Sequence, residues 1–310
     1  MRYTCSIGGY FGRFQGGALE RLVDPTQLRR PCAAPASLEA LADAAHASDL
    51  EHYVVLDADQ GAVHTQRHLA PSTAQMSMQE RATLAWLMMD REIQQNEAYR
   101  GAGSTASVLL LHSLDVPTAP WYASEYLAVT TVQLGDTRLV LCDAETGDAI
   151  PLTRLHHPDD PIESDRLSRQ GAGVLTDSFG EARFLGTLAN TRSFGDTQAK
   201  RYGMTAEPEV QTHILQGSRF AFIAGFSDGI GDVMTDQELV DECRYASHPQ
   251  QAAERIMKYA EDLGAEDNAT ILCIPLRGWG AIRGEDRTAL QRRDRRLNTD
   301  IYRNRRNLCL

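Results

Sequence analysis

The stretch from Ala221 to Val233, AFIAGFSDGIGDV, constrains the fold of this chain more than any other. Its apolar run reads as a buried strand that breaks at Ser227-Asp228-Gly229 and is followed by a second carboxylate, Asp232. A buried strand delivering an acid into a glycine-containing turn holds a hard oxygen ligand at the edge of a core, and Asp228 is read as a metal ligand. Alone, Asp228-Gly229 is also what an ordinary turn looks like. Three further apolar runs, however, end in or adjoin an aspartate. They are Tyr53 to Leu56 with Asp57, Leu127 to Val132 with Gly135-Asp136, and Ala269 to Pro275 preceded by Asp267-Asn268.

The elements around these runs suggest a layered architecture. Ser77 and Glu80 make a capping box that opens a helix to about Tyr99, with Leu84, Leu87 and Met88 expected on its buried side. Tyr126 to Val132 and Arg138 to Cys142 read as strands joined in a hairpin through Leu134-Gly135-Asp136-Thr137. Thr235 and Glu238 form a second capping box, and Pro249 starts a helix that Gly264 should close. Residues 154 to 200, with His156 and His157, lack a sustained period and predict an excursion over the surface carrying short elements. Gly101 to Gly103 precedes a strand, whereas a dinucleotide fingerprint follows one and opens a helix, so no nucleotide site is read there. Strands gathered around hairpins, instead of alternating with helices, favour an α+β sandwich over a doubly wound sheet.

Three divisions are expected: a divergent segment over residues 1–50, a domain over 51–276, and a basic tail over 277–310. The tail holds ten arginines and four acids, a net of +6, which against the overall −11 leaves the body at −17. An acidic body argues against non-specific binding to nucleic acid, while the tail suits an acidic partner or a solvated end. The first 37 residues hold five arginines and two acids, a faint likeness to an organelle transit peptide. Six scattered cysteines without a C-x-x-C pair fit a reducing, intracellular compartment, and no apolar run is long enough to span a bilayer.

Carboxylates with backbone carbonyls and water are the ligand set of Mg²⁺ or Mn²⁺, whereas zinc generally recruits His or Cys. Aspartates brought together without a cation repel one another, so a cluster implies metal or raised pKa values. The chemistry that follows from such a cluster is phosphate ester hydrolysis by metal-activated water.

The order Val55-Leu56-Asp57, Gly103 to Ala106, Gly135-Asp136-Thr137-Arg138, Glu163 to Arg166, Asn190 to Asp196, Ser227-Asp228-Gly229 to Asp232 and Asp267-Asn268 resembles the metal-dependent protein serine/threonine phosphatases of type 2C, the PPM family. The likeness covers roughly residues 50–276, and His156 to Asp196 is similar to a fungal subgroup with mitochondrial members. It implies a central β-sandwich of two antiparallel sheets flanked by helices, with the metal centre in a cleft at one end. It implies further that Asp57 bridges two metals, that Asp228 and Asp267 complete the first metal's ligands, and that the Ala58 carbonyl faces the second. These three aspartates would be the catalytic set. Asp136 and Asp232 sit where the family holds a further metal, with Asp196 and Asp232 equally readable as helix-end or turn carboxylates. Asn268 and Arg192 are expected as supports. The substrate would be a phosphoserine or phosphothreonine protein, in the cytoplasm or a mitochondrion.

The chain also departs from the family. Where the family usually has Asp-Gly-His-Gly-Gly, this sequence has Asp57-Ala58-Asp59-Gln60-Gly61, so an acid replaces the histidine suggested as proton donor. The family's Arg-x-x-x-Glu-Asp near the start has no match, Gly12-Arg13 and Glu20-Arg21 being the nearest candidates. The expected function is a protein phosphatase; the alternative is a pseudophosphatase that keeps the fold and works as a binding module.

Overall fold

The computed structural model describes residues 76–99, 101–172, 174–176, 180 and 182–297, with the backbone of strand segments at 12–15, 18–20 and 55–56. The strands are β1 (Gly12–Gln15), β2 (Ala18–Glu20), β3 (Val55–Leu56), β4 (Gly103–Ser104), β5 (Ala106–Ser113), β6 (Tyr126–Leu134), β7 (Arg138–Asp143) and β8 (Ala149–Pro151). There follow β9 (Val174–Thr176), β10 (Ala182–Phe184), β11 (Phe194–Gly195), β12 (Glu209–Gln216), β13 (Phe220–Phe226) and β14 (Ala269–Pro275). The principal helices are α1 (Met78–Gln95), α2 (Pro161–Arg169), α3 (Asp236–Cys243) and α4 (Pro249–Asp262), and residues 289–297 are also helical.

Two antiparallel sheets form a sandwich. One has the order β2-β1-β14-β13-β7-β8, the other β12-β6-β5-β3. Strand alternation builds three apolar layers from one set of strands. Between the sheets lie Leu127 and Val129 of β6, Leu139 and Leu141 of β7, Ile223 of β13, and Leu272 and Ile274 of β14. The alternate residues of β7, β13 and β14, including Val140, Phe222, Phe226 and Ile271, face α3 and α4. On the far side, Val132 and Leu134 of β6 meet Ala82 and Trp86 of α1. Both expected capping boxes are present, at Ser77/Glu80 and Thr235/Glu238. Gly264, at φ +84°, closes α4. Among the described residues no helix is long and apolar enough to cross a membrane.

Three expectations change. First, β6 and β7 are not a hairpin: β6 is paired on both edges, to β5 and β12, so β7 joins the opposite sheet and the Leu134–Thr137 connection crosses the sandwich. Second, α1 buries Arg81, Ala82, Trp86 and Asp90, while Leu87 and Met88 are 43% and 36% exposed. The buried face is chosen by partners distant in sequence: Trp86 meets Phe194 at 5.9 Å between ring centroids, and Asp90 accepts from the Gly195 amide at 2.8 Å. Third, residues 154–200 do carry short elements, but His156 within them is fully buried.

Candidate metal centre

The strand register gathers the aspartate-bearing ends at one edge of the sandwich. Phe226, the last residue of β13, pairs with Ile271 of β14 and Arg138 of β7. Asp228, Asp267 and Asp136 therefore leave neighbouring strands at the same end. In the second sheet Leu134 pairs with Ala106 and Leu56 with Ser107, so β3, β5 and β6 also meet at this end. Asp57 and Ala58, the expected bridging ligand and carbonyl donor, lie outside the described residues, as does Asp59.

The interior of the sandwich turns polar here. Ser107 and Gln133 are each 1% exposed and hydrogen-bonded to one another, and Gln133 Nε2 donates to the carbonyls of Gly135 (3.0 Å) and Thr137 (2.7 Å). His156 holds the same turn from the other side. Its Nδ1 accepts from the Gly135 amide at 2.9 Å, its own amide donates to the Gly135 carbonyl at 3.0 Å, and its Nε2 faces the Glu209 carboxylate at 3.5 Å. Burial keeps the imidazole below its ordinary pKa, in the neutral form that can accept at Nδ1. Gly135 adopts φ +105°, and a β-carbon there would lie 2.2 Å from Thr105 Cγ2, so the turn that presents Asp136 requires glycine.

Asp228 opens a single helical turn, Asp228–Gly231, and its Oδ1 accepts the Gly229 amide at 2.8 Å. A β-carbon on Gly229 would come within 2.4 Å of the Asn268 carbonyl oxygen, so this turn packs directly on the backbone that carries Asp267. Ser227 Oγ completes the join, accepting from the Thr270 amide at 3.0 Å. Asp228 and Asp136 line one cavity of about 160 Å³ with Gly103, Thr105, Asn190 and Asp196. Burial, followed by the charges of Asp136, Asp267 and Asp232, pushes the Asp228 carboxyl up to about 6.

The expected residues thus divide. Asp136 and Asp228 share the cavity, while Asp267 and Asp232 are exposed and reach Asp228 through their charge. Among the described residues no three acids, histidines or cysteines stand together as a coordination sphere. The donor chemistry nevertheless fits a hard divalent ion, since every acid that acts on Asp228 is a carboxylate and a cation would relieve their repulsion. Thr105 and Asn190 each bring to the cavity a buried oxygen without a hydrogen-bond partner, Thr105 Oγ1 and Asn190 Oδ1, and neither has a sequence signal beyond the motif containing it. Asp196 adopts the left-handed conformation, φ +43°, and accepts from Ser193 Oγ at 2.6 Å. Arg192 is bound to Glu163 and to the Glu207 carbonyl.

Comparison with known proteins places the fold. Protein phosphatase 2C homolog 4 of Schizosaccharomyces pombe is 44% identical over 161 residues, 51% of this chain and 41% of that protein. The mitochondrial Protein phosphatase 1K of Xenopus laevis is 32% identical over 178 residues, covering 57% of this chain and 44% of that protein. The chain therefore spans less than half the length of these curated relatives. A crystal structure of a phosphatase from a pathogenic strain of Toxoplasma gondii shares the fold, with a TM-score of 0.55 at 20% identity over 68% of this chain and 82% of that one. Residues 20–269 match the family described as Protein phosphatase 2C, and the chain belongs to that family.

Proposed function

We propose that this chain is a metal-dependent protein serine/threonine phosphatase acting on phosphoserine or phosphothreonine in protein substrates. The observation that carries the reading is the convergence of the strand ends bearing Asp228, Asp136 and Asp267 at one end of the sandwich, where Asp228 and Asp136 line one cavity. In this reading Asp57, Asp228 and Asp267 hold Mg²⁺ or Mn²⁺, the Ala58 carbonyl faces a second ion, and Asp136 and Asp232 serve a further, weaker one. The chemistry such ions supply when bound is a nucleophile at neutral pH and neutralisation of phosphoryl charge.

The protein's own contributions follow from the geometry. Asp228 must lose its proton to bind a cation, which with its pKa near 6 it does close to neutrality. The Asn268 carbonyl and Ser227 hold its turn against β14, and His156 with Gln133 holds Asp136 at the cavity wall. The reducing compartment expected from cysteine usage is supported by Cys142, Cys243 and Cys273, which are free and buried, and we place the protein in the cytoplasm or a mitochondrion.

Hydrolysis of a phosphopeptide with and without Mn²⁺ tests the reading, beside Asp57→Asn and Asp228→Asn. The expected result is Mn²⁺-dependent turnover that falls by about a hundredfold or more in either variant, the scale on which losing one charge-stabilising group acts. An equal background rate in all three proteins overturns it. A second reading, a pseudophosphatase that binds phosphoproteins without turning them over, is favoured by Asp59-Gln60 in place of the family's His-Gly and by the missing Arg-x-x-x-Glu-Asp. Under it, calorimetry detects Mn²⁺ binding while the phosphopeptide stays intact.

A further inference from the structure

The segment after β14 lies beyond the residues that match the family, 20–269, yet it is bound into the domain as far as residue 297. The arginines of this basic stretch pair with the protein's own acids on α3. Glu238 and Asp241 are fully buried and Glu242 is 4% exposed, and burial of three carboxylates on one short helix requires counter-charge. Arg292 pairs with Glu242 at 3.1 Å and Asp286 at 2.8 Å. Arg296 pairs with Glu242 at 3.1 Å and stacks 4.4 Å above the Tyr259 ring. Arg295 does something different. One guanidinium nitrogen donates to both oxygens of Glu238, at 2.7 and 2.8 Å, and the other donates to the main-chain carbonyl of Val233 at 2.5 Å.

Val233 follows Asp232 and lies at the end of the turn that begins at Asp228. The start of that turn is fixed by close backbone packing of Gly229 on Asn268. Its far end passes into α3 through Thr235, whose capping partner is the same Glu238 that Arg295 grips. We propose that Arg295 is a positioning residue for the metal centre: by tying the Val233 carbonyl to Glu238 it clamps the far end of the Asp228–Met234 turn. The post-domain segment is thereby part of the site's support. This rests on the metal-binding reading given above, but the clamp itself is open to a metal-free test.

The test uses the full chain and its Arg295→Gln, Arg295→Lys and Arg296→Gln variants. Arg296→Gln loosens the same segment without touching Val233. Calorimetric titration with Mn²⁺ should show affinity about tenfold weaker in Arg295→Gln, the range seen when a group supporting metal ligands is removed. Arg295→Lys, which keeps a charged donor, should recover part of the loss, and Arg296→Gln should stay within about twofold of wild type, since Arg296 pairs with Glu242 and Arg295 is the one that bonds to Val233. Hydrogen exchange without metal should show the amides of residues 230–234, bonded within the turn, exchanging about tenfold faster in Arg295→Gln alone. If Arg295→Gln matches wild type in exchange, or Arg296→Gln speeds it equally, the clamp is overturned. If wild type binds no Mn²⁺ while exchange behaves as expected, the clamp stands and the metal-dependent function fails.

Discussion

Two acids in this molecule, one buried and one half-buried, are treated in opposite ways. Glu163, on α2, is 1% exposed and ringed by donors: Arg166, Arg192 and the Thr191 hydroxyl all bond to it. Burial alone would raise its pKa, but those hydrogen bonds hold the carboxyl down to about 2. Asp228 is half-buried, yet among the described residues the charges that act on it most are other carboxylates, and burial together with them pushes its carboxyl up to about 6. The first acid is neutralised from within and serves as a structural knot. The second stands among like charges, an arrangement that a positively charged ligand would relieve.

The comparison can be broken by mutation. Glu163→Ala leaves Arg166 and Arg192 without their shared partner and should destabilise the protein by about 3–5 kcal/mol in urea unfolding, the range for breaking one side of a buried ion pair. Asp228→Asn should do the reverse. Without metal at pH 7 it should stabilise the protein by roughly 1–2 kcal/mol after allowance for solvent screening, and it should abolish the rise in melting temperature that Mn²⁺ gives the wild type.

Titration sharpens the contrast. Because the Asp228 pKa is raised from 3.8 to about 6, its folded state holds a proton that the unfolded chain releases, so metal-free stability should fall as pH rises across that window. This fall should vanish in Asp228→Asn. The Glu163 contribution has the opposite sign: it is present above 4.5 and is lost as pH falls toward about 2. Melting temperature against pH, recorded for wild type and both variants, separates the two. The smallest effect should come from Asp267→Asn, an exposed member of the cluster, with a stability change within about 0.5 kcal/mol.

Much of this was legible in the sequence because it is local. The two capping boxes, the glycine closing α4, and the central strand running into Ser227-Asp228-Gly229 are written in neighbouring residues, and each is where the spacing puts it. What escaped depends on residues far apart. The face of α1 is chosen by Gly195 and Lys200, which supply partners for Asp90 about a hundred residues away, so a count of apolar positions selects Leu87 and Met88 wrongly. His156 lies in a polar stretch, yet it is buried because it satisfies the Gly135 amide. The basic tail reads as a solvated end or a match for an acidic partner, and sequence alone does not reveal that Glu238, Asp241 and Glu242 pair with its arginines as far as residue 297. In the candidate site, the motifs name Asp228 and Asp136, which line one cavity, but the unpartnered oxygens of Thr105 and Asn190 emerge only from packing.

The connection from β6 to β7 spans the gap between the sheets instead of folding back within one. Asp136 therefore rides on a bridge whose two footings belong to different layers, while Asp228 and Asp267 stand on one layer alone. Any change in the spacing of the layers, through the side chains of Leu139 or Ile223 that keep them apart, is transmitted to the separation of Asp136 and Asp228. A cation taken up by Asp136 and Asp232 in the way proposed above would in turn tie the two layers together at their open end, making ligand occupancy and the thickness of the sandwich a single mechanical variable.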